Sequence, residues 1–193
     1  MSKKTDVGDY VERQIKWYSE NEYLARPQLS KLKQGAGRSP GDIPEISGMI
    51  LRGIPAGFIG EDGYASKEEW ACYTALTLFA LHQHGHNIKN NCMSTKNYAS
   101  IGTAANRLKR MDENLGERIL KYIQSAITAN DISGVVTYIR PLIQMFQKKD
   151  IPLNYRTFAE DLYTLQFPDG RAKIGLKWSQ DLYRNNKEDK DNE

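Results

Sequence analysis

Three histidines, one cysteine and a run of unopposed bases are the residues of this sequence whose types could do chemistry. His82, His84, His86 and Cys92 fall close together, and imidazole and thiolate are the side chains that hold transition metals. Residues two apart point to opposite sides of a helix, so the trio converges only where a helix ends. Zinc sites also draw paired ligands from two separate elements, and the second pair is absent. The plainer reading has His82 packed in or near a core, with His84 and His86 at a solvated end. No metal and no cofactor is expected.

The bases say more. From Trp70 to Met111 the chain runs 42 residues without one Asp or Glu, yet holds Lys89, Lys96, Arg107, Lys109 and Arg110. A second acid-free stretch, Tyr23 to Gly41, carries Arg26, Lys31, Lys33 and Arg38. Regions of one sign attract polyanions, of which phosphate backbones are the commonest. Arg107 and Arg110, three apart on a helix, share a face and can address neighbouring phosphates. Two plainer readings stand beside this: a solvated basic face, and bases that gain from a helix C-terminal dipole. No homeodomain-like helix and no aromatic RNP pattern accompanies the bases, so backbone contact without sequence preference is what they would deliver. Arg118, Lys121 and Arg140 form a second rank of candidates.

Catalytic patterns are missing. There is no G-x-S-x-G elbow, no Walker-type phosphate loop and no H-E-x-x-H. Gly35-Ala36-Gly37 follows no strand pattern, and the neighbouring carboxylates Glu68–Glu69 and Glu160–Asp161 suit helix starts and surfaces. An enzyme is not expected.

The elements that must position these residues read as helices throughout. Val7, Tyr10, Val11, Gln14, Trp17 and Tyr18 recur at helical steps in a segment expected to fade before Pro27. Residues 34 to 63, with eight glycines and three prolines, read as loops and short turns. Ser66-Lys67-Glu68-Glu69 is a capping box, and it opens a helix apolar on all sides, hence buried, which Gly85 ends. A polar loop, His86 to Ser100, follows. Helices resume over about 99–110 and 113–129. Asp131 is placed to cap the next, within which Pro141 is expected to kink or split the helix. Asn154 caps another, and 171–184 finish the pattern. The class is all-α: two small helical bundles joined by the polar loop, residues 1–95 and 96–186, with a disordered tail at 187–193.

Composition agrees. Of 193 residues, 39% are hydrophobic and 26% charged, with a net charge of +3, as befits a globular chain with one substantial core or two small ones. No apolar run approaches the roughly 20 residues of a membrane span, no apolar stretch follows the two N-terminal lysines, and two cysteines make no disulfide framework. A cytoplasmic protein with no membrane partner is expected.

Four stretches together resemble the CasB family, the small subunit of the type I-E CRISPR surveillance complex, Cascade. They are Ala25-Arg26-Pro27 through the Gly35–Gly41 turn to Pro44-Glu45; Ala75 to Gln83, similar to A-L-x-L-[YF]-A-L-H-Q; Ile101-Gly102-x-Ala104 with Arg107-Leu108; and a last group. That group joins Ile151-Pro152-Leu153-Asn154-Tyr155, Ala159-Glu160-Asp161-Leu162 and Lys177-Trp178-x-x-Asp181-Leu182-Tyr183, similar to I-P-L-D-Y, L-A-x-D-L and R-W-G-R-D-F-Y. Thr103 stands where the family often has arginine, and Ser179-Gln180 where it has Gly-Arg.

The resemblance implies a non-catalytic, two-bundle subunit, two copies of which join head to tail among the other Cascade subunits. It would lie near the crRNA guide and both strands of the target DNA, hold the displaced strand and stabilise the R-loop in antiviral defence. The expected backbone contacts are Arg26, Lys31, Lys33, Arg38, Lys96, Arg107, Lys109 and Arg110, with Lys96, Arg107 or Lys109 compensating for the two bases missing at Thr103 and Ser179-Gln180. A purely structural scaffold, whose bases meet acidic patches on neighbouring subunits, is the alternative.

Overall fold

The structure, a computed structural model, describes residues 2–184; the expected tail at 187–193 lies outside the described residues. Among these, nine α-helices carry the fold: α1 (Lys3–Glu20), α2 (Glu22–Leu32), α3 (Pro44–Leu51), α4 (Lys67–Gln83), α5 (Ile101–Met111), α6 (Gly116–Thr128), α7 (Ile132–Lys148), α8 (Tyr155–Leu165) and α9 (Pro168–Tyr183). The only strand-like pairing among the described residues is an isolated bridge between Ser94 and Leu153. The all-α expectation holds.

The capping residues start helices where the sequence places them. Ser66 accepts from the Glu69 amide at 3.0 Å while the Glu69 carboxylate accepts from the Ser66 amide at 2.8 Å. Asp131 accepts from the Gly134 amide at 2.8 Å and Asn154 from the Thr157 amide at 2.9 Å. Each cap satisfies an amide that the first turn leaves without a partner. Gly85, at φ +88° just past α4, takes the left-handed conformation that ends a helix.

The first helix ends before Pro27 as expected, but neither proline breaks the helix in which it stands. α1 stops at Asn21, whose side-chain amide donates to the Trp17 carbonyl at 2.9 Å, and α2 then runs through Pro27. α7 likewise continues through Pro141 as one helix rather than splitting. An interior proline removes a single ladder bond and costs about 3 kcal/mol. Buried Val135, Val136 and Ile139 before it, and Leu142, Ile143 and Phe146 after it, hold both halves of α7 on the core. The glycine-rich region also condenses further than its composition suggests, since Pro44–Leu51 is a full helix.

Helix α4 is the axis of the packing. Every residue from Ala71 to Gln83 is buried, and α1, α2, α7 and α8 all pack against the helix. α1 lies along α8, pinned by Arg156, whose Nη2 donates to Asp9 at 2.6 Å. One hydrophobic cluster therefore runs from Val7 to Leu182 and draws on residues either side of the polar loop.

Candidate nucleic-acid interface

A buried polar frame fixes α5, the helix that carries three of the predicted bases. Asp181, on α9 and 4% exposed, accepts from the Ser100 hydroxyl at 2.6 Å and from the Tyr98 hydroxyl. Ser100 in turn caps α5 by accepting from the Thr103 amide at 3.2 Å. Gly102 lets the helices touch: a Cβ there would meet the Trp178 carbonyl oxygen at 2.1 Å. One layer deeper, Asp161 accepts from Lys177 Nζ at 2.7 and 2.8 Å and from the Trp178 indole at 2.9 Å. Burial raises its carboxyl above the usual range, although Lys177 and Trp178 pull the other way. The Asp161, Lys177, Trp178 and Asp181 positions of the sequence motif are thus parts of the frame.

With that side fixed, Thr103, Arg107 and Arg110 follow one another along the outer side of α5 and line a cleft of about 660 Å³. Its other walls are the loop from Thr95 to Ala99 and the turn Ile151–Pro152. The loop is held by its backbone. Thr95 and Leu153 are joined at 2.9 Å, and the Asn154 side-chain amide donates to the carbonyls of Lys96 and Asn97 at 3.2 Å. Asn154 therefore serves α8 as a cap and the loop as a tether. The Lys96 side chain is left exposed on a loop whose path is fixed.

Lys109 does not join them. Its ammonium sits 5.7 Å from the centroid of the Tyr183 ring, and its chain runs beside Gly116. It belongs to the contact of α5 with α6 and α9, not to the cleft face.

Arg26 and Lys33 lie near the end of α4, and the loop carrying Arg38 lies beside Arg140. Lys33, in the turn after α2, has its ammonium 3.2 Å from His84 Nε2. Arg26, exposed on α2, lines a cleft with His84. Arg140 comes in from α7: a Cβ at Gly37 would lie 3.0 Å from its Cδ, so the loop carrying Arg38 rests on it. The sequence ranked Arg140 second and set His84 aside. Lys31 points elsewhere and is ion-paired with Glu45. Arg118 and Lys121 are exposed on α6, the former with its guanidinium 5.8 Å from the Tyr122 ring.

The histidines diverge. His82 is fully buried, its Nδ1 3.1 Å from the Tyr155 hydroxyl, while Nε2 has no partner. Burial pushes its pKa down to about 3, and nearby His86 adds to the effect. His84 faces Lys33, and His86 Nε2 lies 3.2 Å from the Gln147 carbonyl. Among the described residues, no three His, Cys, Asp or Glu side chains are grouped to hold a metal ion. Cys72 is buried, which raises its thiol pKa and keeps it protonated. None of the described helices is long and apolar enough to cross a membrane.

Arg107 and Arg110 thus share one cleft on a helix that the Ser100–Asp181 contact holds in place. Comparison with known proteins adds the lineage. A family model described as CRISPR-associated protein Cse2 matches residues 28–183. The fold is similar to the crystal structure of CasB from Thermobifida fusca, with a TM-score of 0.72 at 22% identity, over 93% of this chain and 98% of that one. No curated protein sequence is significantly similar to the chain.

Proposed function

The chain belongs to the CRISPR-associated Cse2 family, and from that premise we propose that it is the non-catalytic small subunit of a type I-E Cascade complex. In that role it grips nucleic-acid backbone without reading sequence, holding the displaced strand and stabilising the R-loop. The observation that carries the reading is the pairing of Arg107 and Arg110 along one cleft on a helix whose other side is locked to α9. Guanidinium groups presented from a rigid element contact phosphates at little cost in ordering. Guide pairing supplies sequence choice in such complexes, so charge and shape suffice for the protein.

Thr103 fits this picture. It lines the same cleft, so the arginine that the family often carries there is replaced in charge by Arg107 and Arg110 on the same surface. Lys109, turned toward Tyr183, is not the substitute. Arg26, Lys33, Arg38 and Arg140 form the second contact surface, and Lys96 extends the first. Partners in this reading are the other Cascade subunits, the crRNA, both strands of the target DNA and a second copy of the chain.

A scaffold role has its own support. Tyr64 is 81% exposed beside exposed Ile59, on the side of α3 and the loop after it, and apolar patches of this kind mark contacts with other proteins. The two roles are separated by fluorescence anisotropy of the purified protein with single- and double-stranded oligonucleotides of unrelated sequence, titrated across salt. The proposal expects binding that ignores sequence and falls steeply with salt. Absence of binding at low salt would leave the scaffold role alone.

A further inference from the structure

The cleft between α2 and the end of α4 has a polarity that simple backbone contact does not use. Its floor is apolar, made by Leu29, Ala80 and Ile88. One end is closed by the Asn87 side-chain amide donating to Glu22 at 2.7 Å. The mouth is cationic, with Arg26 on one wall and His84, backed by Lys33 at 3.2 Å, on the other. The walls are stiff: Gln83 donates to the Asn91 carbonyl at 3.0 Å and accepts from the Met93 amide at 2.8 Å, and Gln147 ties down the His84 carbonyl at 2.5 Å. About 500 Å³ of space lies between them.

We propose that this cleft receives one unpaired base of a bound strand, with the attached phosphate at its Arg26–Lys33–His84 mouth. The inference rests on the strand-binding role above and adds a base-sized subsite to it. Each part of a nucleotide meets a matching part of the cleft. The planar base covers the apolar floor and stacks on the Arg26 guanidinium or the His84 imidazole. Its edge reaches the Asn87–Glu22 pair, which offers both a donor and an acceptor. The phosphate meets the cations. Every base has an apolar face, so the site accepts any of them, but a paired base is turned inward and cannot enter. The cleft therefore favours single strands over duplex without adding sequence preference.

The test uses the full chain and three probes of equal length and charge: oligothymidine, an abasic strand, and a strand with one 2-aminopurine as fluorescent base. The proposal predicts that the protein binds oligothymidine about tenfold more tightly than the abasic strand at one salt concentration, the effect of a single stacked base. It also predicts that 2-aminopurine emission changes on binding. Ser30, exposed on α2 and lining the cleft, allows a filling variant: Ser30→Trp should abolish the tenfold preference and leave the salt slope unchanged. Equal affinity for the thymidine and abasic strands overturns the base subsite while the backbone-binding role stands. No salt-dependent binding of either strand overturns that role, and the subsite with it. The strand comparison needs no variant, so a Ser30→Trp protein that failed to fold would not blunt the test.

Discussion

Acid should loosen this fold through His82. The imidazole is fully buried on α4, with Tyr155 beside Nδ1 and no partner for Nε2. Tyr155 donates to the Leu78 carbonyl at 3.2 Å, so its oxygen accepts from a neutral imidazole that carries the proton on Nδ1. A second proton on the ring would be a deeply buried charge, which the Ile151 backbone beside it offsets only in part. The pKa accordingly falls from 6.5 to about 3 in the folded state, while in the unfolded chain it keeps its ordinary value. A depressed histidine pKa means that the unfolded state takes up the proton first. Its contribution to stability is therefore complete above pH 6.5 and is lost progressively as pH falls toward about 3. By pH 5 the loss is about 2 kcal/mol, a large share of the roughly 5–15 kcal/mol that holds a domain folded. Asp161 and Glu160, whose carboxyl pKa values are raised by burial, act in the opposite sense, so the wild-type profile alone mixes the effects. Urea unfolding of wild type and His82→Leu at pH 8, 7, 6 and 5 isolates the histidine. The stability difference between them should shrink by about 2 kcal/mol from pH 8 to pH 5. A difference that stays constant across that range would refute the reasoning.

Four further outcomes follow from the contacts around α5 and the basic surfaces. Gly102→Ala should cost about 3 kcal/mol, seen as a lower melting temperature, because a Cβ would press on the Trp178 carbonyl and overpacking against backbone has no rotamer to relieve it. Asp161→Ala should cost about 3 kcal/mol in urea unfolding, since it leaves the Trp178 indole and the Lys177 ammonium without their acceptor; a loss below 1 kcal/mol would show the frame to be dispensable. Lys31→Ala should change nucleic-acid affinity less than twofold because Glu45 already neutralises it, whereas Arg38→Ala should flatten the salt dependence by roughly 0.7 for a single strand.

Much of the fold is written locally. Ser66, Asp131 and Asn154 announce helix starts because a cap is satisfied within three residues. Pro141 does not split α7 because a local rule meets a non-local one: buried side chains hold the helix across it. The frame behind α5 was beyond local reading, since Ser100 and Asp181 meet across 81 positions and no spacing rule pairs them. The motif residues Asp161, Trp178 and Asp181 were legible as a pattern, but not as hydrogen-bonding partners. Among the bases, Arg107 and Arg110 followed from helical spacing. Lys109 required Tyr183 and Gly116 to be placed, the contact of Lys33 with His84 required α2 to be packed near the end of α4, and that of Arg140 with Gly37 required α7. The division expected near residue 95 lies in the loop between α4 and α5. One hydrophobic cluster draws on residues from both sides of that loop.

The central claim is that α5 meets phosphate through its cleft face. The direct measurement is the slope of log affinity against log salt for a single-stranded oligonucleotide, taken for wild type, for Arg107→Ala with Arg110→Ala, and for Lys109→Ala. Removal of the two cleft arginines should weaken binding and reduce the slope by about 1.4, or about 0.7 per lost phosphate contact, while Lys109→Ala leaves the slope as in wild type. An unchanged affinity and slope in the double variant, or an equal loss in Lys109→Ala, would contradict the account.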